Sequence, residues 1–203
     1  MSDNHSKTNT NVALVVADVR VLVYLASVGL LDSLVENRCS VILPDIVIYK
    51  AVEDLRWPFA PDIAAWLESV TASYVQDPAW VTGRQQEPHK VQIMRSDFGA
   101  MYAVARLAAP LQTSGSAGFR ALESWLFDYI AAFSGELLLL GESDTLQKIA
   151  ELTSTAAQYR CLTTLDFLRD CERRGRLQGA DKIWENILWH RQKRNLDADL
   201  EQR

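Results

Sequence analysis

The sequence predicts an α/β fold, a three-layer sandwich with a central parallel sheet flanked by helices. Three observations lead there. Short, strongly apolar runs at 12–17, 41–43 and 137–140 alternate with stretches whose apolar residues recur at helical spacing. The runs lack the apolar–polar alternation of half-exposed strands, as expected when both faces of a sheet are covered. Turn and cap residues, among them Asp18, Pro44 and Gly141, follow each run. Strands that alternate with helices imply parallel pairing, because parallel neighbours need a crossover between them. At 203 residues and 48% hydrophobic, the chain is long enough for one well-filled domain.

Each element has its own justification. The polar stretch 1–11 has too little apolar surface to fold and is expected to be a disordered tail. Strand 12–17 runs into a helix over about 20–37, in which Val21, Leu22, Leu25, Val28, Leu31, Leu34 and Val35 share a face. Val41-Ile42-Leu43 is a short strand stopped by Pro44, and Asp45 opens a helix to about 55, before Pro58. Residues 62–71 form an amphipathic helix with Ile63, Trp66, Leu67 and Val70 inward. The stretch 72–96 is punctuated by Pro78, Gly83 and Pro88 and reads as irregular, with a short strand near Tyr74-Val75 or Trp80-Val81. Helices at about 97–108 and 119–133 flank the loop 110–118, and the second points Leu122, Trp125, Leu126, Tyr129 and Ile130 inward. Strand 137–140 leads through Gly141 to a helix over 144–152, with Ser143 as its expected N-cap. A last strand at 160–163 precedes a helix over 165–174 ended by Gly175, and a final helix covers 179–194.

Composition narrows the function classes. Three cysteines without a CxxC pair and three scattered histidines do not make a zinc site. The N-terminus lacks the apolar core of a signal peptide, and no apolar run reaches the roughly 20 residues that span a bilayer. A soluble, cytoplasmic protein without a membrane partner is expected. The net charge of -5 is unevenly spread. From Arg169 to Arg194, eight Lys/Arg face four Asp/Glu, so this segment carries +4 and the remainder -9. A basic C-terminal face beside an acidic site suits a phosphate backbone, and it equally suits a solvated helix with mixed ion pairs.

The acids are the chemically suggestive residues. Asp18 falls at the C-terminal end of the first apolar run, and Glu142-Ser143-Asp144 follows the run at 137–140. In an open α/β sheet, ligands bind beyond the carboxyl ends of the strands. Carboxylates gathered there point to a hard divalent cation, Mg2+ or Mn2+, which takes oxygen ligands. Taken singly, each of these residues also suits a helix cap or turn.

The order of these pieces resembles the PIN-domain family, small α/β ribonucleases that include the toxins of many bacterial toxin–antitoxin pairs. Val15-Val16-Ala17-Asp18-Val19-Arg20-Val21-Leu22-Val23-Tyr24-Leu25 matches the family's first strand, with its acid at Asp18. Val41 to Tyr49 resembles the second strand and following helix, and Leu138 to Asp144 resembles the strand that ends in acids. Cys161 to Leu168, with Glu172 and Gly175, resembles the closing strand and helix. The resemblance covers about 12–180, implying a PIN-like domain there and a separate basic helix and tail at 181–203. It implies a PIN-like three-layer sandwich, RNA as substrate, a protein antitoxin or other protein as partner, and a homodimer. Three or four carboxylates would hold Mg2+ or Mn2+, which would polarise the scissile phosphate and activate a water. The residues carried over are Asp18, Glu123, Glu142 and Asp144, with Glu53 as a further acid. The chain departs from the pattern at the second acid, where Lys50 stands, with Glu53 three residues further on. For the third acid, Glu123 lies 19 residues before Glu142, near the family's interval, and is preferred to Asp97. Ser143 separates the last two acids. The resemblance therefore implies either a metal-dependent ribonuclease of weakened activity or a degenerate PIN fold that binds RNA or a protein without cleavage.

Other motifs carry less. Ser114 to Gly118 lacks the Lys and preceding strand of a phosphate loop, and no His suits a Ser/His/Asp triad. Of six tryptophans, Trp66 and Trp125 read as core, whereas Trp184 and Trp189 on the last helix suit a partner surface, a dimer contact or simple docking onto the domain.

Overall fold

The computed structural model describes residues 12–36, 40–52, 59–75, 91–94, 126, 129–130, 133, 135–152 and 159–194. Their elements are β1 (Val12–Val16), α1 (Val19–Ser27), α2 (Asp32–Val35), β2 (Ser40–Pro44), α3 (Asp45–Val52), α4 (Ala60–Val75) and β3 (Val91–Met94). Then come β4 (Glu136–Leu140), α5 (Ser143–Leu152), β5 (Tyr159–Leu162), α6 (Thr164–Arg173) and α7 (Ala180–Arg194). All pairings are parallel, in the order β3-β2-β1-β4-β5.

Strand side chains alternate between two cores, because successive Cβ atoms point to opposite faces of a pleated strand. From β1, Leu14 and Val16 enter one core while Ala13 and Val15 enter the other. From β2, Val41 and Leu43 are separated from Ile42 in the same way. The first core is closed by α1, α3 and α4, by Phe167, Leu168 and Cys171 of α6, and by Ile187 of α7. The second is closed by Leu126, Ile130, and Leu146 and Ile149 of α5. Two covered faces make the α/β sandwich expected from the uninterrupted apolar runs.

Several local expectations change. The helix over 20–37 is two helices. Gly29 takes φ +68, and its N–H donates to Ala26 O at 3.1 Å while Leu30 N donates to Leu25 O at 2.8 Å. A left-handed residue of this kind is cheap only for glycine, so apolar periodicity continued across a break it could not detect. Gly175 ends α6 as expected, with φ +71 and Arg176 N bonded to Cys171 O at 3.0 Å. No strand exists at 74–75, which is the end of α4. The strand of this region lies at 91–94, where Val41↔Val91 to Pro44↔Met94 pair with β2. Residues 80–81 lie outside the described residues. Ser143 is the first residue of α5 rather than its cap, and Glu142 O accepts the helical bond from Leu146 N at 2.9 Å. Thr163 caps α6: its hydroxyl accepts from Asp166 N at 3.1 Å, and the Asp166 carboxylate accepts from Thr163 N at 3.1 Å.

Candidate functional site

The strand order locates the site. From β1 the chain steps outward to β2 and β3, then returns to the other side of β1 as β4. Such a reversal opens a crevice at the carboxyl ends of the two central strands. Val16 pairs with Leu140, and Ala17 N continues the ladder to Leu140 O at 2.8 Å. Asp18 and Glu142 therefore leave the sheet side by side. The β4–α5 turn packs close to Asp18 and Leu146, since a Cβ built on Gly141 would sit at a contact distance of 3.4 Å from the Asp18 Cβ and from Leu146 Cδ2.

Asp18 is the centre of the arrangement, with only 5% of its side chain exposed. A buried carboxylate is costly unless paired and hydrogen-bonded. Its partners come from both sides of the crevice. As N-cap of α1 it accepts from Arg20 N at 2.9 Å. The Arg20 side chain folds back over the first turn and donates from Nε at 3.2 and 3.1 Å and from Nη2 at 2.7 Å. From α5, Thr145 Oγ1 donates at 2.8 Å, and Glu142 N lies at 3.3 Å. Arg20 Nη2 also donates to Asp144 and, at 3.1 Å, to Thr145 Oγ1. One guanidinium thus bridges Asp18 and the largely exposed Asp144, while one hydroxyl relays between cation and anion.

Two further groups complete the charge pattern. Glu142 is half-buried and accepts from Thr164 Oγ1 at 2.6 Å, where Thr164 is fully buried at the start of α6. Burial, and the neighbouring Asp18 charge, raise its carboxyl above the usual range against the opposing pull of Thr164 and Arg20. Partial burial would also raise Asp144, but the Arg20 hydrogen bond and charge outweigh it and hold that carboxyl below its usual range. Arg20 is displaced upward: burial opposes its charge, and Asp18 and then Asp144 more than offset burial. Lys50 on α3 is half-buried, and burial lowers its ammonium even though the Asp18 charge works the other way. Three carboxylates here face two cations.

The expected Mg2+ or Mn2+ can be tested against this donor set. Asp18 and Asp144 have the guanidinium between them, and Lys50 brings a second positive charge to Asp18. Among the described residues, no group of three or more His, Cys, Asp or Glu is arranged to hold a metal ion. As arranged, these residues do not fit a resident divalent cation. Of the acids expected from sequence, Asp18, Glu142 and Asp144 come together, whereas Glu53, Glu123 and Asp97 lie outside the described residues, as does Trp125.

Three residues of the site escaped the sequence reading. Arg20 had a signal: an isolated cation in the apolar stretch Val19 to Leu25, two residues after a capping Asp. Thr145 and Thr164 had none, since a threonine early in a helix is common. Elsewhere, Trp66 is core as expected and donates to Asp32 Oδ1 at 3.1 Å, Trp184 is half-buried edge-on to Tyr24, and Trp189 is exposed. Several basic residues of the C-terminal segment are paired, Arg169 with Asp181 and both Arg173 and Arg174 with Asp170. Among the described residues, no helix is long and apolar enough to cross a membrane. Compared with models of known families, with curated proteins and with solved structures, the chain matches none.

Proposed function

We propose that this chain is a PIN-like RNA-binding domain in which a built-in arginine stands where a divalent cation would bridge the carboxylates, so that it engages RNA without cleaving it. The observation that carries the reading is the Arg20 guanidinium held between Asp18 and Asp144. Hydrolysis by a metal needs open coordination positions and a bound water. Here the anionic oxygens that would supply the coordination are spent on Arg20, Thr145 and backbone N–H groups. The fold is retained because the same pairing neutralises a buried acid that would otherwise destabilise the β1–β4 edge. The basic C-terminal segment offers the counter-charge that phosphates require.

One observation favours a second reading, the metal-dependent ribonuclease: Asp18, Glu142 and Asp144 still converge at the switch point. A single assay separates the two. Labelled single-stranded RNA is incubated with the protein, with and without Mn2+ and with and without EDTA, and both binding and cleavage are followed. The non-cleaving reading expects binding insensitive to Mn2+ and EDTA and no cleavage. Cleavage that EDTA abolishes would replace it with the nuclease.

A further inference from the structure

The last helix is anchored on one side only. Ala180 and Ile187 of α7 are fully buried, Trp184 meets Tyr24 edge-on at 6.1 Å, and His190 meets Phe59 edge-on at 6.3 Å. α7 packs on α1 and α6 and leaves its opposite face outward. On that face, Lys182, Asn186, Trp189 and Lys193 follow one another at helical spacing, all exposed. At 1.5 Å per residue the stripe is about 16 Å long.

Trp189 is 53% exposed, the one large apolar side chain so placed among the described residues. Its position is not loose. Lys193 Nζ lies 4.5 Å from the ring centroid, and His190 meets the ring edge-on at 4.8 Å. The indole is thus held by a cation and an imidazole while over half of the residue stays open to solvent. Towards the end of the helix the charge is one-sided: from Asn186 to Arg194 the sequence holds Arg191, Lys193 and Arg194 and no acid, in a chain of net charge -5. Of the acids earlier in α7, Asp181 is tied to Arg169, and Glu185 borders the stripe.

We infer that this stripe is a stacking platform for single-stranded RNA, with Trp189 receiving a base and Lys182 and Lys193 receiving phosphates. The inference rests on the RNA-binding reading above and adds the surface that does the binding. A protein-docking surface would place further apolar residues around the central aromatic. Here the neighbours of Trp189 one turn either way are Glu185, Asn186, Gln192 and Lys193, all polar. An exposed aromatic with lysines along the same stripe is the chemistry that holds unpaired bases, through a π-face for the base and positive charge for the backbone. Duplex RNA has its bases already stacked and cannot use the indole.

The test is fluorescence anisotropy with a labelled oligouridine, a duplex RNA of equal length, and a poly-glutamate competitor. It uses the full chain and the variants Trp189→Ala, Trp189→Phe and Lys193→Ala, with thermal melts to show that each is folded. The expected result is tighter binding of the oligouridine than of the duplex and about a tenfold loss in Trp189→Ala. Trp189→Phe should largely restore binding, and Lys193→Ala should lower the slope of log affinity against log salt by about 1. Binding by the wild type that Trp189→Ala leaves unchanged would overturn the platform and leave the RNA reading standing. No binding of either RNA by the wild type would overturn both. Equal displacement by poly-glutamate would make the surface an acidic-protein site and overturn the platform.

Discussion

The β1–β4 edge and the outer face of α7 handle charge in opposite ways. At the edge, the cations and anions answer one another inside the protein: Arg20 spans two carboxylates, and Thr145 and Thr164 fill remaining acceptor positions. On α7, Lys182 and Lys193 stand exposed, and Lys193 lies over the face of Trp189. Similar groups serve different ends according to burial. A buried charge must find its partner within the fold, because leaving it unpaired costs several kcal/mol. An exposed one is held by water at little cost and stays available to a ligand. An acidic cluster is therefore not by itself evidence of an open site, and a lone surface tryptophan gains meaning from the charges beside it.

The strongest way to break this comparison is Arg20→Ala. It strips the buried Asp18 of its counter-ion and should cost on the order of 3 kcal/mol, read as a lower melting temperature or denaturant midpoint. Because it also frees the oxygens of Asp18 and Asp144, Mn2+ should raise the melting temperature of the variant and leave the wild type unmoved. A wild type stabilised as strongly by Mn2+ would show that Arg20 does not occupy the cation's place.

Thr164→Val should come next. It preserves shape but removes the hydroxyl that donates to Glu142, at a cost of about 2 kcal/mol at neutral pH. The sign of the pH dependence follows from the raised Glu142 carboxyl. A carboxyl raised by folding binds its proton more tightly in the folded state, so it detracts from stability at neutral pH and ceases to do so as pH falls through its raised value. The deficit of Thr164→Val should narrow over that window, as measured by urea unfolding across pH; a constant deficit would rule out the ionised Glu142 as its source.

Asp144→Asn should have a smaller effect, below about 1 kcal/mol, since Asp144 is 60% exposed. Its sign is the reverse: a carboxyl held low contributes stability that is present at neutral pH and lost as pH falls through its folded value. Wild type and variant should therefore converge in acid, and curves that stay parallel would contradict the Arg20 pairing. Gly141→Ala should be the mildest, within about 0.5 kcal/mol, because the added methyl meets its neighbours at contact distance rather than in overlap. A large loss of melting temperature would show the turn to be tighter than that.

What could be seen in the sequence divides along the same line. Buried strands announced themselves because both faces are covered, which is why 12–17 and 137–140 stood out and why Asp18 and Glu142 were placed together. Val91–Met94 escaped because it is an edge strand of four residues including Gln92, formed by its pairing with β2 rather than by local pattern. Lys50, which stands at the family's second-acid position, acts electrostatically on Asp18, but the main neutralising group is Arg20. That partnership depends on a side chain folding back over its own helix turn, which periodicity does not encode. The acids at 53, 97 and 123 were inferred from intervals along the chain and fall outside the described residues.

The double role of Asp18 as helix cap and crevice anion has a consequence for the timing of local opening. Its carboxylate accepts from the amide of Arg20 and faces the amide of Glu142, at the starts of two helices 124 positions apart in the chain. Neither amide can exchange with solvent while the carboxylate is seated, and unseating it exposes both. In deuterium exchange the two should share one opening event and one protection factor, a pair of distant positions that keep the same clock.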